Sequence, residues 1–159
     1  MKKLILLLFC ISLIKISAQD QDIDSYVELL RMDVKTVKNE LITKGMKFTD
    51  QEAEVFWPIY REYQFELDKL NDARFALIKE FAANYTKLTD EKAKEIVVKN
   101  LDNLNERNNL REKYFDKFGQ AITFVRAAKV LQIENQIQLL IDLQIASEMP
   151  FAERPENLK

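Results

Sequence analysis

Carboxylates at helical spacing are the first residues in this sequence that could do chemistry. Asp50 with Glu54, Glu62 with Glu66 and Asp68 with Asp72 each stand four residues apart. On a helix that spacing puts both groups on one face, where a pair can bind a hard cation or share acid–base work. In a chain with 31% charged residues the same spacing also arises on any solvated helix face, and the pairs are read that way. The commoner catalytic groups are missing. The sequence has no His and a single Cys, Cys10, which removes His general bases and the Ser-His and Cys-His nucleophile systems. It also makes the chain a poor candidate for zinc or copper. The expectation is a non-enzymatic protein with no catalytic residue, no cofactor and no metal.

Two other constellations could bind rather than react. Glu134-Asn135 is a polar pair inside the otherwise apolar stretch Val130–Ile137. At a helix interface such a buried polar pair meets a partner across the bundle, such as Arg74 or Arg111, or else serves binding. Trp57, Phe65 and Phe75 lie off the main apolar stripe of their helix. They form either a second packed face or an apolar patch offered to a protein client or a dimer partner.

The elements that position these residues begin after an export signal. Residues 1–18 read as a signal peptide: basic Met1-Lys2-Lys3, an apolar run Leu4–Ile14, and Ala18 before Gln19. The run is short for a bilayer-spanning helix, which needs about 20 apolar residues; an uncleaved anchor is the alternative. Phe9 before Cys10 does not fit a lipid-modified Cys, so Cys10 reads as part of the apolar run. The chain is expected in the periplasm, with no transmembrane segment once the signal is cleaved. Loss of Lys2, Lys3 and Lys15 would leave 21 basic against 26 acidic residues, a net charge of −5. Interleaved signs on an acidic chain argue against nucleic acid as a partner.

Residues 19–149 read as one all-α domain of about four helices, followed by a C-terminal tail at 150–159. Two Gly and three Pro leave few places to turn, and no stretch alternates as a strand does. The first helix spans about Asp22–Lys44, with Tyr26, Leu30, Val34, Val37 and Leu41 as its apolar face and Gly45 ending it. The second runs from about Asp50 to Ala83. Its stripe is Phe56, Tyr60, Tyr63, Leu67, Leu70, Ala73, Leu77 and Phe81, and Pro58 inside it predicts a bend. The third starts at Thr89, with Ala93, Val97, Leu101, Leu104, then Tyr114 or Phe115, and Phe118 facing the core, a polar middle at residues 105–112 and a weak end at Gly119. The fourth runs from about Thr123 to Ser147 and is apolar on more than one face, as a buried or ligand-binding helix is.

Three of these helices start alike. Phe48-Thr49, Leu88-Thr89 and Ile122-Thr123 each place an apolar residue before a Thr N-cap, with Ala four residues on. Thr49 with Glu52 makes a capping box. Lys92 cannot close one for Thr89, and Val125-Arg126 replaces the acidic first turn after Thr123.

These starts resemble the Leu-Thr-x-x-Gln motif of the Spy/CpxP-like envelope proteins, matched by Phe48-Thr-Asp-Gln-Glu52 and Leu88-Thr-Asp-Glu-Lys92, with Glu52 and Lys92 where the motif has Gln. Phe56-Trp-Pro-Ile-Tyr60, Ile133-Glu-Asn135 and Met149-Pro150 are similar to a divergent, uncharacterised branch of that superfamily. The resemblance implies an elongated, curved assembly of long helical hairpins, often a cradle-shaped dimer. It implies ATP-independent, chaperone-like binding of partly folded protein surface under envelope stress. The alternative is a sensor or regulatory module acting on a membrane-bound partner, an anti-sigma factor or a sensor kinase. Metal sensing through His has no counterpart here.

Overall fold

The computed structural model describes residues 37–152. The signal peptide at 1–18, most of the expected first helix and the end of the tail lie outside the described residues. Four helices pack as a bundle, with no strand among the described residues: α1 at 37–46, α2 Asp50–Ala82, α3 Asp90–Ile122 and α4 Phe124–Glu148. The two longest have 33 residues each.

Each helix start has its own chemistry. Thr49 caps α2 in a closed box: the Glu52 N–H donates to Thr49 Oγ1 at 3.3 Å and the Thr49 N–H donates to Glu52 Oε2 at 2.9 Å. Thr89 caps α3 by accepting from the Lys92 N–H at 3.2 Å. The Lys92 ammonium then bonds Glu80 near the end of α2, so the residue that cannot close a box clasps the α2–α3 turn instead. Thr123 does not cap α4 as the sequence predicts. It is the single residue between α3 and α4, and its side chain makes no cap hydrogen bond. Its backbone sits at φ 78°, ψ 147°, a conformation that a β-branched residue adopts only under strain. The chain must reverse between two helices within one residue, and that geometry takes Thr123 out of the extended conformation an N-cap uses.

The two glycines do work other than ending helices. Gly45 lies inside α1, against α4; a Cβ there would come 2.7 Å from Ile133 Cδ1. The left-handed residue that closes α1 is Lys47, at φ 48°, whose N–H donates to the Thr43 carbonyl at 3.1 Å. Gly119 is buried in α3, and a Cβ there would stand 2.3 Å from the Phe124 ring. That ring folds back over the reversal and also meets Phe115, centroids 5.4 Å apart.

The core is an aromatic cluster built mainly by α2 and α3. Phe56, Tyr60, Tyr63 and Leu67 are buried as the α2 stripe predicts, and Ala73 at its far end is exposed. They meet Tyr114 and Phe118: Phe56–Phe118 and Tyr63–Tyr114 centroids lie 5.2 and 5.3 Å apart. Rings at such distances add about 0.5–1.5 kcal/mol per pair beyond the burial of their surface. Ile42 and Met46 of α1 and Ala127 and Val130 of α4 complete the cluster. α2 runs without interruption through Pro58, which is exposed. The Glu54 carbonyl that loses its intrahelical donor there belongs to an exposed residue, within reach of water.

On two helices the buried face differs from the apolar stripe. α1 buries Lys38, Ile42 and Met46, and leaves Val37 and Leu41 exposed. α3 buries Ile96, Asn103, Arg107 and Leu110, and leaves Val97, Leu101 and Leu104 exposed. In both cases a polar residue occupies a core position, so counting apolar spacings selects the neighbouring face.

The two Thr positions make opposite predictions. Thr49→Ala removes a cap and lowers stability by about 1 kcal/mol. Thr123→Gly relieves a strained backbone with no cap to lose, and raises stability by about 1 kcal/mol. Urea unfolding of both variants checks the pair; a destabilised Thr123→Gly would show that the reversal does not strain its residue.

Candidate functional site

Glu134 is 3% exposed, the one buried carboxylate among the described residues. Its partners are neither Arg74 nor Arg111. Lys38 Nζ of α1 lies 2.8 Å from Oε2, and the Tyr60 hydroxyl of α2 donates to Oε1 at 2.5 Å. Burial first, and then the Glu134 charge, pushes the Tyr60 phenol well above its usual value, so it stays a donor. Tyr63 is pushed up by the same two causes in the same order. Asn135, expected to be buried beside Glu134, is exposed. Neighbours on a helix point about 100° apart, so only one of two adjacent polar residues can face the seam.

A second polar layer lies nearer the C-terminal half of α4. Arg107 of α3, 4% exposed, donates to Asn71 Oδ1 of α2 at 2.5 Å and to Gln138 of α4. Arg74 of α2 pairs with Asp142 of α4 at 2.6 Å, and Gln138 Nε2 donates to the same carboxylate at 2.8 Å. Asn103 Nδ2 donates to the Leu70 carbonyl at 2.9 Å. Sequence reasoning passed over Lys38, Asn103 and Arg107. The signal that could have found Arg107 was the polar middle of α3 at residues 105–112; Asn103 lies just before it.

Arg126, in the first turn of α4, ties three elements together. Its Nη2 donates to the Met46 carbonyl and to Glu52 Oε2, each at 3.1 Å. Its Nε lies 2.7 Å from Glu52 Oε1, an ion-pair contact without hydrogen-bond alignment. The guanidinium also covers the Phe48 ring at 5.4 Å. This is why a basic residue stands where the first turn of a helix usually carries acid: it answers the acid of another helix start.

Of the carboxylate pairs, Glu62 and Glu66 serve α3. Glu62 meets Lys117 at 3.0 Å, and Glu66 accepts from Lys113 at 2.7 Å and from the Tyr114 hydroxyl at 2.8 Å. Asp50 and Glu54 are exposed. Asp68 and Asp72 are engaged within the protein. Among the described residues no group of His, Cys, Asp or Glu side chains could hold a metal ion.

The three aromatic candidates do not form one patch. Trp57 is half-buried, edge-on to Phe48, Phe56 and Tyr60. Phe75 is half-buried too and engaged within the protein. Phe65 alone is open, 64% exposed, with the Lys69 ammonium 4.4 Å from its ring centroid. Larger apolar exposure lies elsewhere, at Val97, Val98, Leu101 and Leu104 of α3 and at Leu139, Leu140 and Leu143 of α4, where Leu140 and Leu143 are 67% and 68% exposed. No helix among the described residues is long and apolar enough to cross a membrane. Comparison with protein-family models, with curated proteins and with solved structures finds no match.

The buried pair predicts a large asymmetry. Glu134→Ala strands the Lys38 charge and the Tyr60 hydroxyl, and lowers stability by about 3–5 kcal/mol. Lys38→Met with Glu134→Leu removes both charges and changes stability far less. A single substitution costing as little as the double one, in urea unfolding, would show that the charges are not bound to each other's presence.

Glu66 predicts a pH dependence. Hydrogen bonds from Lys113, then from Tyr114, hold its carboxyl below the usual 4.5. The fold therefore favours the ionised form, and the stabilisation is complete above that value and lost as pH falls through the lowered one. Glu66→Gln should be less stable than the parent at about pH 7, with the gap closing towards about pH 3. A gap independent of pH would assign the effect to packing.

Proposed function

We propose that this chain is a non-enzymatic helical protein of the periplasm that binds exposed apolar surface on partly folded proteins. The observation that carries the reading is the apolar exposure on α3 and α4. Val97, Leu101 and Leu104 follow one another at spacings of four and three, and all are exposed. Leu139, Leu140 and Leu143 add a second exposed group on α4. Single exposed apolar residues are ordinary, but grouped ones mark interaction surface. Leucines on a helix suit clients of varied sequence, because apolar contact needs no fixed partner geometry. The resemblance to Spy/CpxP-like proteins supports the same activity and the export that would bring the chain to its clients.

The binding surface assigned by this reading differs from the sequence-based one. Phe65 remains part of it, whereas Trp57 and Phe75 are largely taken up by packing. A thermally unfolding client protein, followed by light scattering, tests the proposal. Suppression of aggregation is expected at a several-fold molar excess. Leu101→Gln with Leu140→Gln and Leu143→Gln should reduce it strongly. Covering one Leu contributes up to about 1.5–3 kcal/mol, so losing three weakens binding by about tenfold or more. No suppression by the parent protein, or equal suppression by a folded triple variant, would refute the reading.

A further inference from the structure

The outer face of α4 is uncharged. Between Lys129 and Glu148 each exposed residue is Leu, Gln, Asn, Ala or Ser. The two charged residues within that stretch are answered inside the protein, Glu134 by Lys38 and half-buried Asp142 by Arg74. Solvated helix faces ordinarily carry charge, and α3 shows it: Lys94, Glu95, Lys99, Asp102 and Glu106 stand exposed around its apolar stripe. On α4 the exposed Leu139, Leu140 and Leu143 have neutral groups beside them, with Gln136 one turn before Leu140 and Ser147 one turn after Leu143. Depletion of charge is the compositional mark of the centre of a protein-binding surface.

We propose that this face selects its clients by the absence of charge, taking apolar segments free of Lys, Arg, Asp and Glu. The inference rests on the apolar binding proposed above and names the class of segment bound. A client charge of either sign laid against Leu140 and Leu143 would lose water and meet no counter-charge, a cost that a neutral segment does not incur. The neutral rim adds what charge could not. Each amide of Gln132, Asn135 and Gln136 both donates and accepts, so it can pair with the peptide N–H and C=O groups that a partly folded segment leaves unpaired. Apolar, uncharged segments are also those that aggregate most readily, and flanking charges are what keep other segments soluble. The face therefore takes the segments that lack such protection and passes over those that have it.

The test is isothermal titration calorimetry of the full chain with three blocked peptides. They share one pattern of leucines; the remaining positions are Gln and Ser in the first, with Lys at some of them in the second and Glu in the third. The neutral peptide should bind about tenfold or more tighter than either charged one, and sodium chloride should not weaken it. Gln132→Lys with Gln136→Lys, both at exposed positions, should keep the helical circular dichroism and make the face prefer the Glu peptide to the Lys peptide. Equal binding of all three peptides by the parent protein, or tighter binding of a charged one, would overturn the selectivity. So would a folded double variant that ranks the peptides as the parent does. Light scattering with the unfolding client separates selectivity from binding. Suppression of aggregation without a preference among the peptides removes this inference alone, and no suppression removes the apolar binding with it.

Discussion

The bundle depends on one buried carboxylate. Glu134 of α4 takes an ammonium from α1 and a phenol hydroxyl from α2, so three helices share one acceptor group. Apolar packing between helices tolerates sliding, because one buried methyl is much like the next. A charge in the interior does not, since a shift of one turn would leave it unpaired at a cost of several kcal/mol. The Lys38–Glu134–Tyr60 contact therefore sets the register of α1 against α4 and α2 where the aromatic cluster alone would not.

Much of the fold is legible in the sequence, for a physical reason that can be stated helix by helix. α2 reads correctly because its core positions Phe56, Tyr60, Tyr63 and Leu67 are apolar or aromatic and nothing polar interrupts them. The caps at Thr49 and Thr89 read correctly because capping is local, involving only groups three residues apart. α1 and α3 mislead because their core faces carry Lys38, Asn103 and Arg107. A periodicity count sees a gap at those positions and moves to the next stripe, Val37–Leu41 on α1 and Val97–Leu101–Leu104 on α3. What makes the polar residues tolerable is their partners on other helices, Glu134, Leu70, Asn71 and Gln138, far away in sequence and invisible to a local pattern.

Thr123 fails in a related way. The pattern of apolar residue, Thr, and Ala four residues on is the same at all three starts, and Ala127 and Val130 are fully buried as it implies. What differs is the preceding element. α2 and α3 are each preceded by a stretch that can bring the Thr into extended backbone. α4 follows α3 with one residue between, and the reversal dictates the dihedrals. The same tightness explains Gly119: the Phe124 ring must lie where any Cβ on α3 would be.

The polar seam and the exposed leucines follow from one constraint. A helix has a fixed circumference, and turning Asn103 and Arg107 inward turns Val97, Leu101 and Leu104 outward. The face that carries Asn103 and Arg107 also carries Ile96, Leu110, Tyr114 and Phe118, so the opposite rotation would cover three aliphatic side chains only by returning two core aromatics to water. The aromatic cluster therefore decides the rotation. Burying Tyr114 and Phe118 brings Asn103 and Arg107 inside, where Leu70, Asn71 and Gln138 accept their hydrogen bonds, and leaves Val97, Leu101 and Leu104 outside.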